Sequence, residues 1–322
     1  AFLGGTFMLR SKSSKEKIEK KDKPGIRDIR KNYDLYLLLI PGLAMLILFR
    51  YVPMYGITIA FKDFNIFQGI LKSPWAGLEN FRRLFTTPEF FRIFRNTLLI
   101  SCYKIVFNFP LPIIIAVCLN EMRCLKLKKT IQTVIYLPHF LSWVIVAGIF
   151  TSVLSTSSGI VNSIIRDCGG QPIPFLMSNR WFRSILVLTD GWKTMGWGSI
   201  IYIAAISGID QELYEAAEID GAGRLKKIWH ITLPMLSSTI VLMLILRLGT
   251  IMVDGQEQVL MLYNPTVYET GDILTTYVYR MGIGKMDYSF SSAVGLLNSV
   301  ISLFLVLSGN YISGKLTNRT IW

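Results

Sequence analysis

Six runs of predominantly apolar residues, each about 20 long, constrain this chain more than any other feature of its sequence. A hydrocarbon layer of roughly 30 Å takes about 20 helical residues to cross, and inside it the backbone must satisfy its own hydrogen bonds, so the helix is the default spanning element. The runs extend from about Leu35 to Ile57, Leu98 to Leu119, Ile131 to Leu154, Ser184 to Ser207, Leu233 to Val253 and Phe290 to Ile312. The expected fold class is an all-α membrane protein with six transmembrane helices. With 52% apolar and 17% charged residues, the chain departs from the roughly 45–50% and about 25% of soluble domains in the direction such a fold requires.

A net charge of +13 would suggest a nucleic-acid partner in a soluble chain, but here the basic residues flank the apolar runs. Segments 1–34, 120–130, 208–232 and 313–322 hold 19 Lys and Arg in 80 positions; segments 57–96, 154–183 and 254–289 hold 11 in 106. The positive-inside rule then puts the first set, and both termini, on the cytoplasmic side of the membrane, and the charge becomes a topology signal with no nucleic acid implied. The N-terminal residues are too charged to contain a signal-peptide core, so insertion is expected to begin with the first apolar run. Three divisions follow: a basic tail (1–34) that touches anionic lipid headgroups, a first span with an external segment (35–96), and a core domain (97–322) carrying the loop 208–232. Within the external segment, Phe81, Leu84, Phe85, Phe90, Phe91 and Phe94 alternate with Arg82, Arg83, Arg92 and Arg95, the pattern of a helix lying at the membrane interface. Cys102, Cys118, Cys124 and Cys168 form no Cys-x-x-Cys pair and read as packing residues, without a metal or redox role.

The loop 208–232 carries the most specific pattern. Asp210 is placed to cap a short helix ending near Ile219, Gly221 to supply a left-handed turn, and Ala222 to Trp229 to form a second short helix before Pro234 opens the fifth span. Leu213, Ala216, Ala217 and Trp229 give this elbow an apolar side, and Glu215 and Glu218 a charged one. By composition alone it could be an ordinary amphipathic connector. Its spacing, Glu215-Ala216-Ala217, three residues, Gly221, nine residues, Ile231, one residue, Leu233-Pro234, resembles at every defined position the EAA loop of permease subunits of binding-protein-dependent type I ABC importers. Asn96-Thr97-Leu98, Tyr136-Leu137-Pro138, Tyr277 to Arg280 and Ala293 to Gly295 extend the resemblance over about residues 35–315, and it is nearest to the maltose-type sugar and oligosaccharide permeases. The resemblance implies that Glu215, Ala216, Ala217, Asp220, Gly221, Ile231, Leu233 and Pro234 couple the spans to a separate ATPase subunit. It further implies a second permease subunit, usually a paralogue, two ATP-binding subunits that hold ATP-Mg, and an extracytoplasmic solute-binding protein. The substrate would be a sugar or oligosaccharide, including an acidic fragment of the alginate type.

The chain carries no Gly-x-x-x-x-Gly-Lys-Ser/Thr phosphate loop, no His-Glu-x-x-His and no Gly-x-Ser-x-Gly, so it is not expected to be an enzyme or to bind a cofactor of its own. His230 reads as structural or interfacial, and His139 as a hydrogen-bonded imidazole facing the bundle or a substrate contact. Charged residues at a bilayer centre cost about 2.5–3.5 kcal/mol each and seldom face lipid, so polar residues inside the spans mark a path or a structural pair. Asp190 and Lys193, three apart on one helix face, could neutralise each other or line the path. Arg50 and Arg247 read as snorkelling or paired. Asn108, beside Pro110 and Pro112, could mark a locally opened helix. Trp143, Trp192, Trp197, Tyr202 and Asn298 complete a sugar-path set, since sugars bind through aromatic faces and hydroxyl hydrogen bonds. A secondary transporter would instead need inverted repeats and a midplane ion site, and a membrane-embedded enzyme a nucleophile with its base.

Overall fold

Prolines decide where these helices deviate from regularity. A proline inside a helix cannot donate to the carbonyl four residues back, and its ring crowds that carbonyl, so the preceding turn widens or breaks. The computed structural model describes residues 33–317, and the expected lipid-touching tail lies, up to residue 32, outside them. Three of its four π-helical turns, Ile47–Tyr51, Lys104–Asn108 and Ile228–Thr232, lie immediately before Pro53, Pro110 and Pro234. The fourth, Arg280–Gly284, has no proline after it and ends in glycine.

The chain divides into two compact units, residues up to Tyr55 and residues from Gly56. In the first, α1 (Tyr33–Leu46) buries none of its residues. The second opens, after an isolated antiparallel bridge between Lys62 and Trp75, with α2 (Glu79–Thr86) and α3 (Pro88–Tyr103). There follow α4 (Pro110–Asn120), α5 (Leu125–Tyr136), α6 (Trp143–Val153), α7 (Phe182–Ser207), α8 (Gln211–Ile219), α9 (Arg224–Lys227) and α10 (Leu233–Thr250). Short helices α11 (Gln256–Leu262) and α12 (Leu274–Tyr279) lead into the 30-residue α13 (Tyr288–Thr317).

Among the described residues, four helical stretches are long and apolar enough to span a bilayer: Tyr33–Phe61, Pro88–Asn120, Arg224–Thr250 and Tyr288–Lys315. The other two expected spans differ from simple rods. The third is broken: Leu125–Phe140 and Trp143–Val153 meet at 104°. Pro138 sits at the end of the first piece, and Ser142 caps the second by accepting from the Ile145 amide at 3.4 Å. The fourth, α7, has 26 residues, about 39 Å at 1.5 Å per residue, which suffices in length. It carries Arg183, Asp190 and Lys193, however, and is apolar in too few of its positions to qualify on composition.

Three buried clusters hold the second unit together. Leu84, Phe90 and Ile93 pack with Ile251, Met252, Leu274, Tyr277 and Phe290. The aromatic segment expected at the membrane interface thus puts its apolar side against α12 and α13, because Phe90 and Leu84 reach a partner more complementary than lipid. Ile100 and Ala147 pack with Phe182, Leu186, Val259 and Ile273, and Ala116 with Tyr202, Ile206 and Leu236. All four cysteines are free and exposed on the chain, which corrects their reading as packing residues: they sit on outward helix faces and loops.

Candidate functional site

The elbow at 208–232 is built from local rules. Asp210 caps α8 by accepting from the Glu212 amide at 3.0 Å. At the other end Gly221 takes φ +75°, and the amides of Gly221 and Ala222 bond the carbonyls of Glu218 (3.0 Å) and Ala217 (2.8 Å), which is a Schellman closure. The chain then turns directly into α9, and α9 continues through the π-turn Ile228–Thr232 into α10. The second helix expected from Ala222 to Trp229 is therefore not a separate element but the first two turns of the fifth span, since neither glycine nor proline stands between Arg224 and Leu233 to stop it.

Two side-chain ties fix α8 to that span: Lys227 Nζ donates to Glu218 Oε2 at 2.8 Å, and Tyr214 Oη lies 2.9 Å from Thr232 Oγ1. The Lys227 bond holds the Glu218 carboxyl below the usual carboxylate range. Glu215, Ala216, Asp220, Gly221 and Pro234 are exposed, Ala217, Ile231 and Leu233 half-buried. Ile219, Leu225 and Trp229 are exposed as well, at 88%, 74% and 67%, so the elbow presents bare apolar side chains as well as Glu215. His230 Nδ1 lies 2.9 Å from the Lys226 carbonyl oxygen.

Inside the spans a charged network links four helices. Lys104 Nζ lies 3.1 Å from Asp190 Oδ1, both side chains about 95% buried, and donates to Gln258 Oε1 at 2.6 Å. Asn108 donates to Asp190 Oδ2 at 2.8 Å and to the Val187 carbonyl at 3.0 Å. Arg247 stands 3.8 Å from Asp190 Oδ2 and 2.5 Å from Asp254 Oδ2. Two cations and two carboxylates thus cancel, which removes most of the cost of placing any one of them among apolar helices. The expected Asp190–Lys193 pair does not form. Asp190 faces Lys104, which the sequence reading overlooked although a lone lysine inside an apolar run is itself a signal for a buried partner.

Lys193 turns instead to the break in the third span. Its ammonium donates to the carbonyls of His139 (2.8 Å), Pro138 (3.4 Å) and Leu141. A helix that ends inside the bilayer leaves carbonyls without partners, and a cation at that C-terminal end satisfies them and the helix dipole together. Lys193 Nζ is also 5.5 Å from the Trp143 ring. At Gly196 a Cβ would run into the Ile135 carbonyl oxygen, so only glycine lets α7 lie against the broken span. The His139 ring stacks on Trp197 at 4.6 Å, but its Nδ1 is buried without a hydrogen-bond partner, contrary to the satisfied imidazole expected.

Two cavities border these elements. The larger, about 1010 Å³, is lined by Asn108 and Trp192 together with Tyr103, Phe107 and Phe150, and among the described residues its charged lining is Arg180 and Arg183. The smaller, about 350 Å³, is lined by Asn298. Of the other sugar-path candidates, Asp190 and Lys193 are committed to the contacts above. Trp143 and Trp197 stand at the break. Tyr202 is buried in the cluster with Ala116 and Leu236 and lines neither cavity. Sequence spacing could not tell a core tyrosine from a lining one, because both occupy inward helix faces.

The family model described as binding-protein-dependent transport system inner membrane component matches residues 108–320. Protein LplB of Bacillus subtilis (strain 168) is 47% identical over 281 residues, covering 87% of this chain and 88% of LplB. The polygalacturonan/rhamnogalacturonan transport system permease protein YteP of the same organism is 44% identical over 306 residues, 95% of each chain. A chain in the crystal structure of a bacterial alginate ABC transporter, in complex with its alginate pentasaccharide-bound periplasmic protein, is similar with a TM-score of 0.86. It is 38% identical, with 93% of this chain and 100% of that chain covered.

Proposed function

The chain belongs to the inner membrane components of binding-protein-dependent transport systems, and we propose that it carries acidic oligosaccharides across that membrane, driven by ATP hydrolysed on separate subunits. It is a permease subunit of a sugar or oligosaccharide ABC importer and a non-enzymatic member of its complex. A solute-binding protein delivers the substrate, a paralogous permease supplies the other half of the path, and two ATPase subunits holding ATP-Mg seat the elbow. Both termini face the cytoplasm.

The observation that carries this reading is the elbow itself. Glu215 and the bare side chain of Ile219 stand on a short helix that is capped at both ends and tied to the fifth span, whose first turns carry the bare side chains of Leu225 and Trp229. Closure of the ATPase subunits against such a helix moves the span as a rigid lever, because packed helices switch between discrete arrangements and do not bend continuously. The outer side of the path opens to the binding protein while nucleotide is clamped, and hydrolysis returns the path to the cytoplasmic side.

Polygalacturonan and alginate are polymers of uronic acids, and the substrate class proposed here follows YteP and the alginate transporter. Arg180 and Arg183 support it as the charges lining the larger cavity, where Asn108 and Trp192 offer an amide and an aromatic face. Arg183 is largely engaged, donating to the Thr270 carbonyl and Asn96 Oδ1, while Arg180 is exposed. The test is uptake by the full complex in proteoliposomes, with ATP inside and no ion gradient. Oligogalacturonide uptake is expected, and Arg180→Ala should raise its KM at least about tenfold, the loss of one contact to a charged group. Transport of a neutral oligosaccharide alone, or transport that needs an ion gradient, would overturn the reading.

A further inference from the structure

The smaller cavity lies among α11, α12 and α13, and three independent features of its wall are unexplained by packing. Asn298 is 94% buried and donates through Nδ2 to the Met252 carbonyl at 3.2 Å, yet its Oδ1 has no partner. Thr275 is 92% buried and its hydroxyl likewise has none. Buried polar atoms are nearly always bonded, and an orphan costs about as much as a lost hydrogen bond, so two orphans on one cavity point to an occupant that supplies their partners. The third feature is Gly295, one helical turn before Asn298 on α13. Glycine weakens a helix interior relative to alanine, and such a position normally has a steric reason, but a Cβ here would meet nothing within 4 Å. What the missing side chain preserves is the space of the cavity.

The volume, about 350 Å³, is at the low end of small-molecule sites and far more than one or two bridging waters fill, at roughly 30 Å³ each. The rest of its wall mixes Gln256, Ser291 and the rings of Tyr279 and Tyr288 with the aliphatic side chains of Val278 and Ile283. Tyr279 is 44% exposed, so the cavity has an open side. An acceptor, a hydroxyl, a primary amide and two aromatic rings around one chamber suit a pyranose ring, whose hydroxyls bond the first three while its C–H face lies on an aromatic plane.

We infer that this cavity is a sugar-hydroxyl subsite of the permease, holding one pyranose unit of the substrate between Asn298, Thr275 and Tyr279. Asn298 Oδ1 accepts from one ring hydroxyl, and the Thr275 hydroxyl bonds a second. The inference rests on the import of an oligosaccharide proposed above, and adds where one of its units binds.

The experiment is the KM and maximal rate of ATP-driven oligogalacturonide uptake by the reconstituted complex, alongside its binding-protein-stimulated ATPase rate. Gly295→Leu extends a side chain from a position where a Cβ meets nothing within 4 Å, and Thr275→Val removes a hydroxyl that bonds nothing in the protein. Each is expected to raise KM about tenfold with stimulated hydrolysis within twofold of the unmodified complex, and Thr275→Ser is expected to restore KM. An unchanged KM in both variants overturns the subsite, as does a fall in uptake and hydrolysis together at unchanged KM, which marks a packing role. Failure of the unmodified complex to take up any oligosaccharide instead removes the transport reading on which the subsite stands.

Discussion

Lys104 and Asp190 show how single charges order the spans around them. Removing one member of a buried pair leaves the other without compensation, at a cost of about 3–5 kcal/mol, whereas replacing both is close to neutral. Lys104→Met is therefore expected to lower the thermal unfolding midpoint of the purified complex by several degrees, and Lys104→Met with Asp190→Asn to recover most of it. Equal midpoints for Lys104→Met and the unmodified protein would mean that Asp190 finds its compensation from Arg247 alone. Lys193→Met should destabilise by about 1–3 kcal/mol for the carbonyls it strands. These contacts were only half legible in the sequence. Helical spacing correctly puts Asp190 and Lys193 on one side of α7, but it carries no information on what each side chain meets. The partner of Asp190 lies 86 positions away and that of Lys193 on a break not yet recognised.

At the scale of elements, glycine and proline do the specifying. Gly221 holds a left-handed turn that a β-branched residue reaches only with strain of about 1–2 kcal/mol, so Gly221→Val should loosen the elbow while leaving the spans inserted. Binding-protein-stimulated ATP hydrolysis should fall at least threefold in that variant, and an undiminished stimulation would show that the elbow tolerates another turn. The Glu218 carboxyl, held low by Lys227, keeps its ion pair from neutral pH down through the ordinary carboxylate range near 4.3 and loses it only in stronger acid. Hydrogen-exchange protection of the Gly221 and Ala222 amides, corrected for intrinsic rates, should accordingly hold to about pH 5; loss already at pH 6 would contradict it. The caps at Asp210 and Gly221 were readable because they are local. The broken third span was readable too, from Pro138 followed by Ser142, but counting apolar residues passes over a proline. The continuity of α9 into α10 runs through a π-turn whose signal, Pro234, reads equally well as the start of a new helix.

For the whole molecule, four spans and the broken third follow from apolar length, because the bilayer imposes that length whatever the helices later pack against, while α7 has the length without the composition. The packing of Leu84 and Phe90 on Tyr277 and Phe290 was not legible, since an amphipathic aromatic face suits lipid and protein equally. Orientation can be read with the protein's own thiols, as Cys124 precedes α5 and Cys168 lies in the segment before α7, both exposed. In intact cells a membrane-impermeant maleimide should label a variant keeping only Cys168 and not one keeping only Cys124; the reverse pattern would invert the topology. The most direct measurement is made on Glu215→Lys in the reconstituted complex, with oligosaccharide uptake and ATP hydrolysis followed in the same vesicles. A lever that no longer seats leaves the unstimulated ATPase rate within about twofold but abolishes both uptake and the stimulation by loaded binding protein. Uptake and stimulation that persist undiminished would mean that the elbow is not where hydrolysis is converted into movement of the spans.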